Sequence, residues 1–115
     1  MIRKKQHIIQ LIRHKVNQLD NTAEVILYGS RARGDNKRDS DWDVMILLSR
    51  ENVDKKVEQT FRHHLLDIEL EIGVPISVFV YSKSDWEGKY SITPLFKSIK
   101  KEGILNSWQK NRMTI

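Results

Sequence analysis

Two aspartates one residue apart, Asp41 and Asp43, stand at the head of an apolar run, Val44-Met-Ile-Leu-Leu48. In a strand, alternate side chains share a face, so both carboxylates point to one side and Trp42 to the other. Adjacent anions repel, and a strand with a purely structural duty gains nothing from such a pair. A divalent cation removes the conflict. Hard oxygen ligands at this spacing suit magnesium, which typically takes one or two carboxylates together with substrate phosphates. Upstream, a second apolar run, Val25-Ile-Leu-Tyr28, ends in Gly29-Ser30 and a basic turn that contains Arg31 and Arg33. Gly29 lets a phosphate approach the backbone closely. The Ser30 hydroxyl and the following N–H groups can bind its oxygens, especially where a helix begins there. If the two runs pair as antiparallel strands, Gly29-Ser30 and the acid pair share one end of a sheet.

An apolar residue, Gly29-Ser30, the spacer Arg31 to Ser40, and Asp41-Trp42-Asp43 with apolar flanks resemble the signature of the nucleotidyltransferase superfamily of the DNA-polymerase-beta type. The small members look most similar: the minimal nucleotidyltransferases, often paired as antitoxins with a helical HEPN-type partner. The resemblance is closest over Val25 to Leu48 and extends, as a fold pattern, over most of the remainder. It implies an α/β fold: a small mixed sheet with helices on one face. It also implies that Gly29 and Ser30 bind the phosphates of a nucleoside triphosphate, with ATP the expected substrate. Asp41 and Asp43 would be the catalytic residues of a two-magnesium site. Arg31 and Arg33 directly follow the Gly-Ser pair, where a cation helps to neutralise a triphosphate, and are expected phosphate contacts. A hairpin with a polar turn and solvated acids is the plainer alternative.

Active relatives usually carry a third carboxylate on the third strand, and the matching position here is Ser77, within Pro75-Ile-Ser-Val-Phe-Val80. Serine is neutral and cannot replace a carboxylate as base, so one metal site of the in-line, two-metal arrangement is expected to be weakened. Binding is the safer inference than turnover. The leading expectation is transfer of a nucleoside monophosphate to a hydroxyl, on a protein partner because the chain has no further helical domain to shape an acceptor site. Its rival is a catalytically impaired nucleotide-binding antitoxin or subunit that acts by complex formation with a HEPN-like partner. Homo-oligomerisation is a further option.

At 115 residues the chain has the size of one domain, 1–115, with a modest core. Hydrophobic content of 39% with 30% charged residues fits a soluble globular chain. The net charge of +5 could favour nucleic acid, but neither an aromatic platform nor a recognition motif accompanies it, and nucleic acid is not the expected partner. The absence of cysteine excludes disulfides and thiolate metal sites. With neither a signal-peptide pattern nor an apolar spanning stretch, the expected setting is the cytoplasm, off the membrane.

The elements that position the site follow from periodicity. Arg3 to Leu19 predicts a helix with Ile8, Ile9, Ile12, Val16 and Leu19 on its apolar side. After Leu48, Ser49 or Asn52 can cap a second helix with the stripe Val53, Val57, Phe61, Leu65, Ile68 and Ile72, ended by Gly73 and Pro75. Ile76 to Tyr81 predicts a third strand, parallel to the second because a helical crossover precedes it. Ser84 to Glu87 has capping-box spacing, and Thr93-Pro94 opens a last helix that carries Leu95, Phe96 and Ile99 and ends at Gly103. The tail, 105–115, is expected to fray or to dock on a partner through Trp108.

Overall fold

The apolar runs form strands because both of their faces find cover. A computed structural model of the chain describes residues 5–102, 104 and 105. The elements are α1 (Lys5–Leu19), β1 (Glu24–Tyr28), α2 (Ser30–Arg33), β2 (Trp42–Leu48), α3 (Lys55–His64), α4 (Leu66–Ile72), β3 (Ile76–Ser82), α5 (Lys83–Glu87), α6 (Pro94–Glu102) and β4 (Ile104–Leu105). They build a mixed sheet in the order β3-β2-β1-β4. β1 and β2 are antiparallel, and β2 and β3 are parallel, as the sequence predicts. β4 is an addition to the three predicted strands. Its two residues pair with Ile26 and Leu27 of β1, too short a stretch to carry an alternating pattern.

The layering differs from helices on one face. α1, α3 and α4 bury Ile8, Ile12, Val16, Phe61, Leu65 and Ile68 against Val25, Leu27, Trp42, Val44, Ile46 and Val78. Trp86 of α5 and Ile99 of α6 cover Ile26, Tyr28, Met45 and Leu47 on the opposite side. The reason is visible in β2: Val44 to Leu48 is apolar at every position, so each face of that central strand needs a partner.

Local details also depart from expectation. The second predicted helix is two, α3 and α4, joined through a tight turn at Leu65, whose N–H is shared between the Phe61 and Arg62 carbonyls. Its cap is Asp54, whose carboxylate accepts the Val57 N–H at 3.0 Å, rather than Ser49 or Asn52. Ser49 is engaged instead with Thr22, hydroxyl to hydroxyl at 2.9 Å. Ser82, not Ser84, caps α5, its hydroxyl accepting the Asp85 N–H. Leu19 is 39% exposed and lines a surface groove with Thr60 and His64, outside the apolar stripe. Gly73 adopts the left-handed conformation at the end of α4, with φ 74°, as the sequence predicts. Thr93 caps α6 as expected, accepting the Phe96 N–H at 3.1 Å. The expected helix end at Gly103 and the tail from 106 onward, with Trp108, lie outside the described residues. No helix among the described residues is long and apolar enough to cross a membrane.

Phe61, 2% exposed, fastens α3 to the sheet. Phe61→Ala is expected to destabilise the fold by about 3–5 kcal/mol. Denaturant unfolding would show it as a lower midpoint at unchanged slope. A loss under about 1 kcal/mol would mean that α3 docks through other contacts.

Candidate active site

Three strands deliver one row of side chains to one end of the sheet. Tyr28 pairs with Asp43 across β1 and β2, and Asp43 pairs with Ser77 across β2 and β3. The row lies on the face opposite Trp42, whose ring is buried in the larger core. Asp41 precedes β2 and is exposed, while Asp43 and Ser77 are half-buried. Ser77 Oγ stands 3.4 Å from Asp41 Oδ2, a contact longer than a strong hydroxyl–carboxylate bond. The position matching the third carboxylate therefore faces the same cluster as the acid pair.

Gly29 closes the other side. β1 ends at Tyr28, and the chain turns at Gly29 with φ 76° and ψ −159°, a conformation that a residue with a Cβ rarely adopts. A Cβ at this point would also collide with Asp43 Oδ2 and lie 3.1 Å from its Cγ. The backbone thus runs directly against the carboxylate. The Gly29 carbonyl accepts the Ala32 and Arg33 N–H groups, and the Ser30 carbonyl accepts those of Gly34 and Asp35, so α2 folds back as one compact turn beside the acids.

The electrostatics of the row are those of crowded anions. Asp43 is raised above the ordinary carboxylate pKa, first by burial and then by the charge of Asp41, with Arg33 acting in the opposite sense. Burial, the Asp43 carboxylate and Tyr81 push the Tyr28 phenol upward, so it stays protonated at neutral pH. Tyr28 is a site neighbour that the sequence reading did not single out. Its signal was available: as the last residue of β1 it must stand across from the start of an antiparallel β2.

The match to known proteins agrees with this geometry. Residues 9–106 match the family model described as "Nucleotidyltransferase domain". The chain belongs to the nucleotidyltransferase-domain family. A chain in a crystal structure of a toxin–antitoxin with AMP-PNP has the same fold: TM-score 0.53, 16% identity, covering 88% of this chain and 78% of that one. No match is found among curated protein sequences.

Within this nucleotidyltransferase domain the two arginines of the basic turn separate. Arg33 is exposed, pairs with Asp35 at 3.2 Å and bears electrostatically on Asp43. Arg31 sits over the Trp42 ring and binds carbonyls of the connector, on the face opposite the acids. The contacts it makes here are thus internal to the protein. Glu69 accepts the Ile76 N–H at 2.6 Å and holds the start of β3. His63 and His64 lie on α3 and line a groove of about 440 Å³ whose lining includes neither Asp41 nor Asp43. That groove contains no carboxylate, so volume alone is a poor guide to the chemistry here. Among the described residues no group of three or more His, Cys, Asp or Glu side chains could hold a metal ion.

Asp43 yields a sign-definite pH prediction. With its folded pKa raised, the group favours folding fully at pH below its unfolded pKa, and that contribution is lost as pH rises through the folded pKa. Without divalent cations, Asp43→Asn is therefore expected to unfold at a higher temperature than wild type at neutral pH and at the same temperature in acid. An Asn variant less stable at neutral pH would mean that contacts hold the carboxylate in its charged form. Gly29→Ala should lower the unfolding temperature at both pH values, because its strain does not titrate.

Proposed function

We propose that this domain binds a magnesium–nucleoside triphosphate, with ATP the first candidate, and transfers its nucleoside monophosphate to a hydroxyl carried by a partner protein. The observation that carries the reading is the crowded carboxylate pair beside Gly29 and Ser30. A half-buried acid pushed up by a neighbouring acid gains most from a hard cation, and two carboxylates leave coordination positions for phosphate oxygens. The donor set thus fits one magnesium held by Asp41, Asp43 and the triphosphate. When bound, the metal neutralises charge on the phosphates and polarises the phosphorus that is attacked. The turn at Gly29 and Ser30 offers backbone close enough to receive the terminal phosphates, and Arg33 offsets their charge. In the transfer, the acceptor hydroxyl would form a bond from its oxygen to the α-phosphorus and release its proton to solvent, the bond from that phosphorus to the bridging oxygen would break, and pyrophosphate would leave.

One observation favours a second reading. The position facing Asp41 and Asp43 from β3 is Ser77, which cannot take the proton of the attacking hydroxyl as a carboxylate would. A domain that binds nucleotide but turns it over slowly, and acts as the antitoxin of a HEPN-like partner, accommodates this. The toxin–antitoxin with the same fold supports a protein partner in either case.

Calorimetry separates the readings. Wild type should bind ATP with magnesium, and the folded double variant Asp41→Asn, Asp43→Asn should lose that magnesium-linked affinity. Undiminished affinity in the double variant would remove the metal site. Ser77→Asp tests turnover. Three acids should lower the unfolding temperature without metal, magnesium should restore it, and transfer from labelled ATP to the partner should appear or rise. Destabilisation that magnesium leaves untouched, with no gain in transfer, would mean that this side chain does not share the metal site.

A further inference from the structure

Asp41 needs external support. It lies just before β2, outside the regular ladder, and is exposed, so nothing in strand pairing fixes its carboxylate. Arg31 holds the backbone that precedes it and packs on the side chain that follows it. Its Nε and Nη2 donate to the Ser40 carbonyl at 3.0 and 2.7 Å, and Nη2 also donates to the Arg38 carbonyl at 3.0 Å. The same guanidinium covers the Trp42 ring, 4.6 Å from its centroid. The Trp42 N–H in turn donates to the Pro75 carbonyl at 3.0 Å, tying the start of β2 to the segment that precedes Ser77. One side chain thus binds the Ser40 carbonyl and covers the Trp42 ring, while the Pro75 carbonyl holds the Trp42 backbone N–H.

We propose that Arg31 is a positioning residue for the metal-binding carboxylates, acting through the connector rather than on the phosphates. The inference rests on the functional reading above, which supplies the metal. Arginine suits the task because a planar fork can bridge two carbonyls and stack on an aromatic ring at once. Lysine keeps the charge but not the fork. Three roles give different signs. If Arg31 acted only as a nearby positive charge, its removal would strengthen cation binding by the acids. If it bound phosphate, its removal would weaken phosphate binding with or without metal. As a positioning residue, its loss weakens only the metal-linked part, because Asp41 is no longer held where Asp43 needs it.

The test uses full-length Arg31→Lys and Arg31→Met with three readouts: ATP binding with magnesium, tripolyphosphate binding in EDTA, and amide hydrogen exchange of the unliganded protein. Both variants are expected to lose magnesium-linked ATP affinity by about 10–100-fold, the usual effect of removing a group that orients metal ligands. Tripolyphosphate binding should match wild type. The Ser40 and Trp42 amides should lose protection while Val44 to Leu48 keep theirs. A parallel loss of tripolyphosphate binding would make Arg31 a phosphate ligand, and unchanged or tighter magnesium-linked binding would reduce it to a charge. Loss of protection throughout β2 would make it a general prop of the fold. If wild type itself binds no magnesium–ATP, the functional reading fails. Hydrogen exchange then still decides this one, since unaltered connector protection in Arg31→Lys would overturn it.

Discussion

The close approach of the Gly29 backbone to the Asp43 carboxylate is the constraint on which the rest of the site depends. With no side chain at Gly29, β1 can end directly against the acid, and the left-handed turn there sends the chain into α2 instead of onward along the sheet. α2 then returns the chain over Trp42, which places Arg31 on one side of the connector and leaves Arg33 on the other. Any Cβ at Gly29 would have to displace Asp43, and Asp43 is the centre of the row from Tyr28 to Ser77. One missing methyl group therefore sets the geometry of a turn, a helix and a carboxylate together.

The sheet then acts as a ruler. Antiparallel pairing brings the end of β1 beside the start of β2, and parallel pairing brings the start of β3 to the same place. The two kinds of pairing are both needed: a third strand running the other way would present its far end to the acids. The parallel pair demands a crossover, and α3 and α4 supply it while burying Phe61, Leu65 and Ile68 on the sheet. The longest apolar stripe in the sequence thus serves the site indirectly, by setting the direction of β3.

Much of this was legible in the sequence where one physical rule decided the outcome. Val25 to Tyr28 and Val44 to Leu48 could only be strands with a turn-rich link, and Gly73 before Pro75 could only stop a helix. Alternation placed Asp41 and Asp43 on one side and Trp42 on the other. What escaped were outcomes chosen by competition between distant groups. Ser49 was a good cap by type, but Thr22 engages its hydroxyl and Asp54 caps α3 instead. α5 and α6 cross to the second face because β2 is apolar on both, which periodicity in those short helices does not reveal. Arg31 and Arg33 are the same residue type in the same turn, and both read as phosphate contacts. On a helix, residues two apart point to different sides. Once α2 formed, one had to face Trp42 and the connector while the other faced the acids.

Ser77 can be understood through the same crowding of charge. Burial and then the charge of Asp41 already raise Asp43, and Arg33 only partly offsets them. A third acid at the facing position of β3 would add a repulsion that the fold would have to bear whenever metal is absent. Serine removes that burden, at the loss of a base and of ligands for a second ion. If the proposed magnesium site is real, the domain would depend less on metal for its stability and be less equipped for turnover. Under the proposed second reading, stability without metal would suit a protein that persists as one half of a complex. A neutral Ser77 thus bears on the charge balance of the row and, under the two proposed readings, on whether transfer or complex formation is primary.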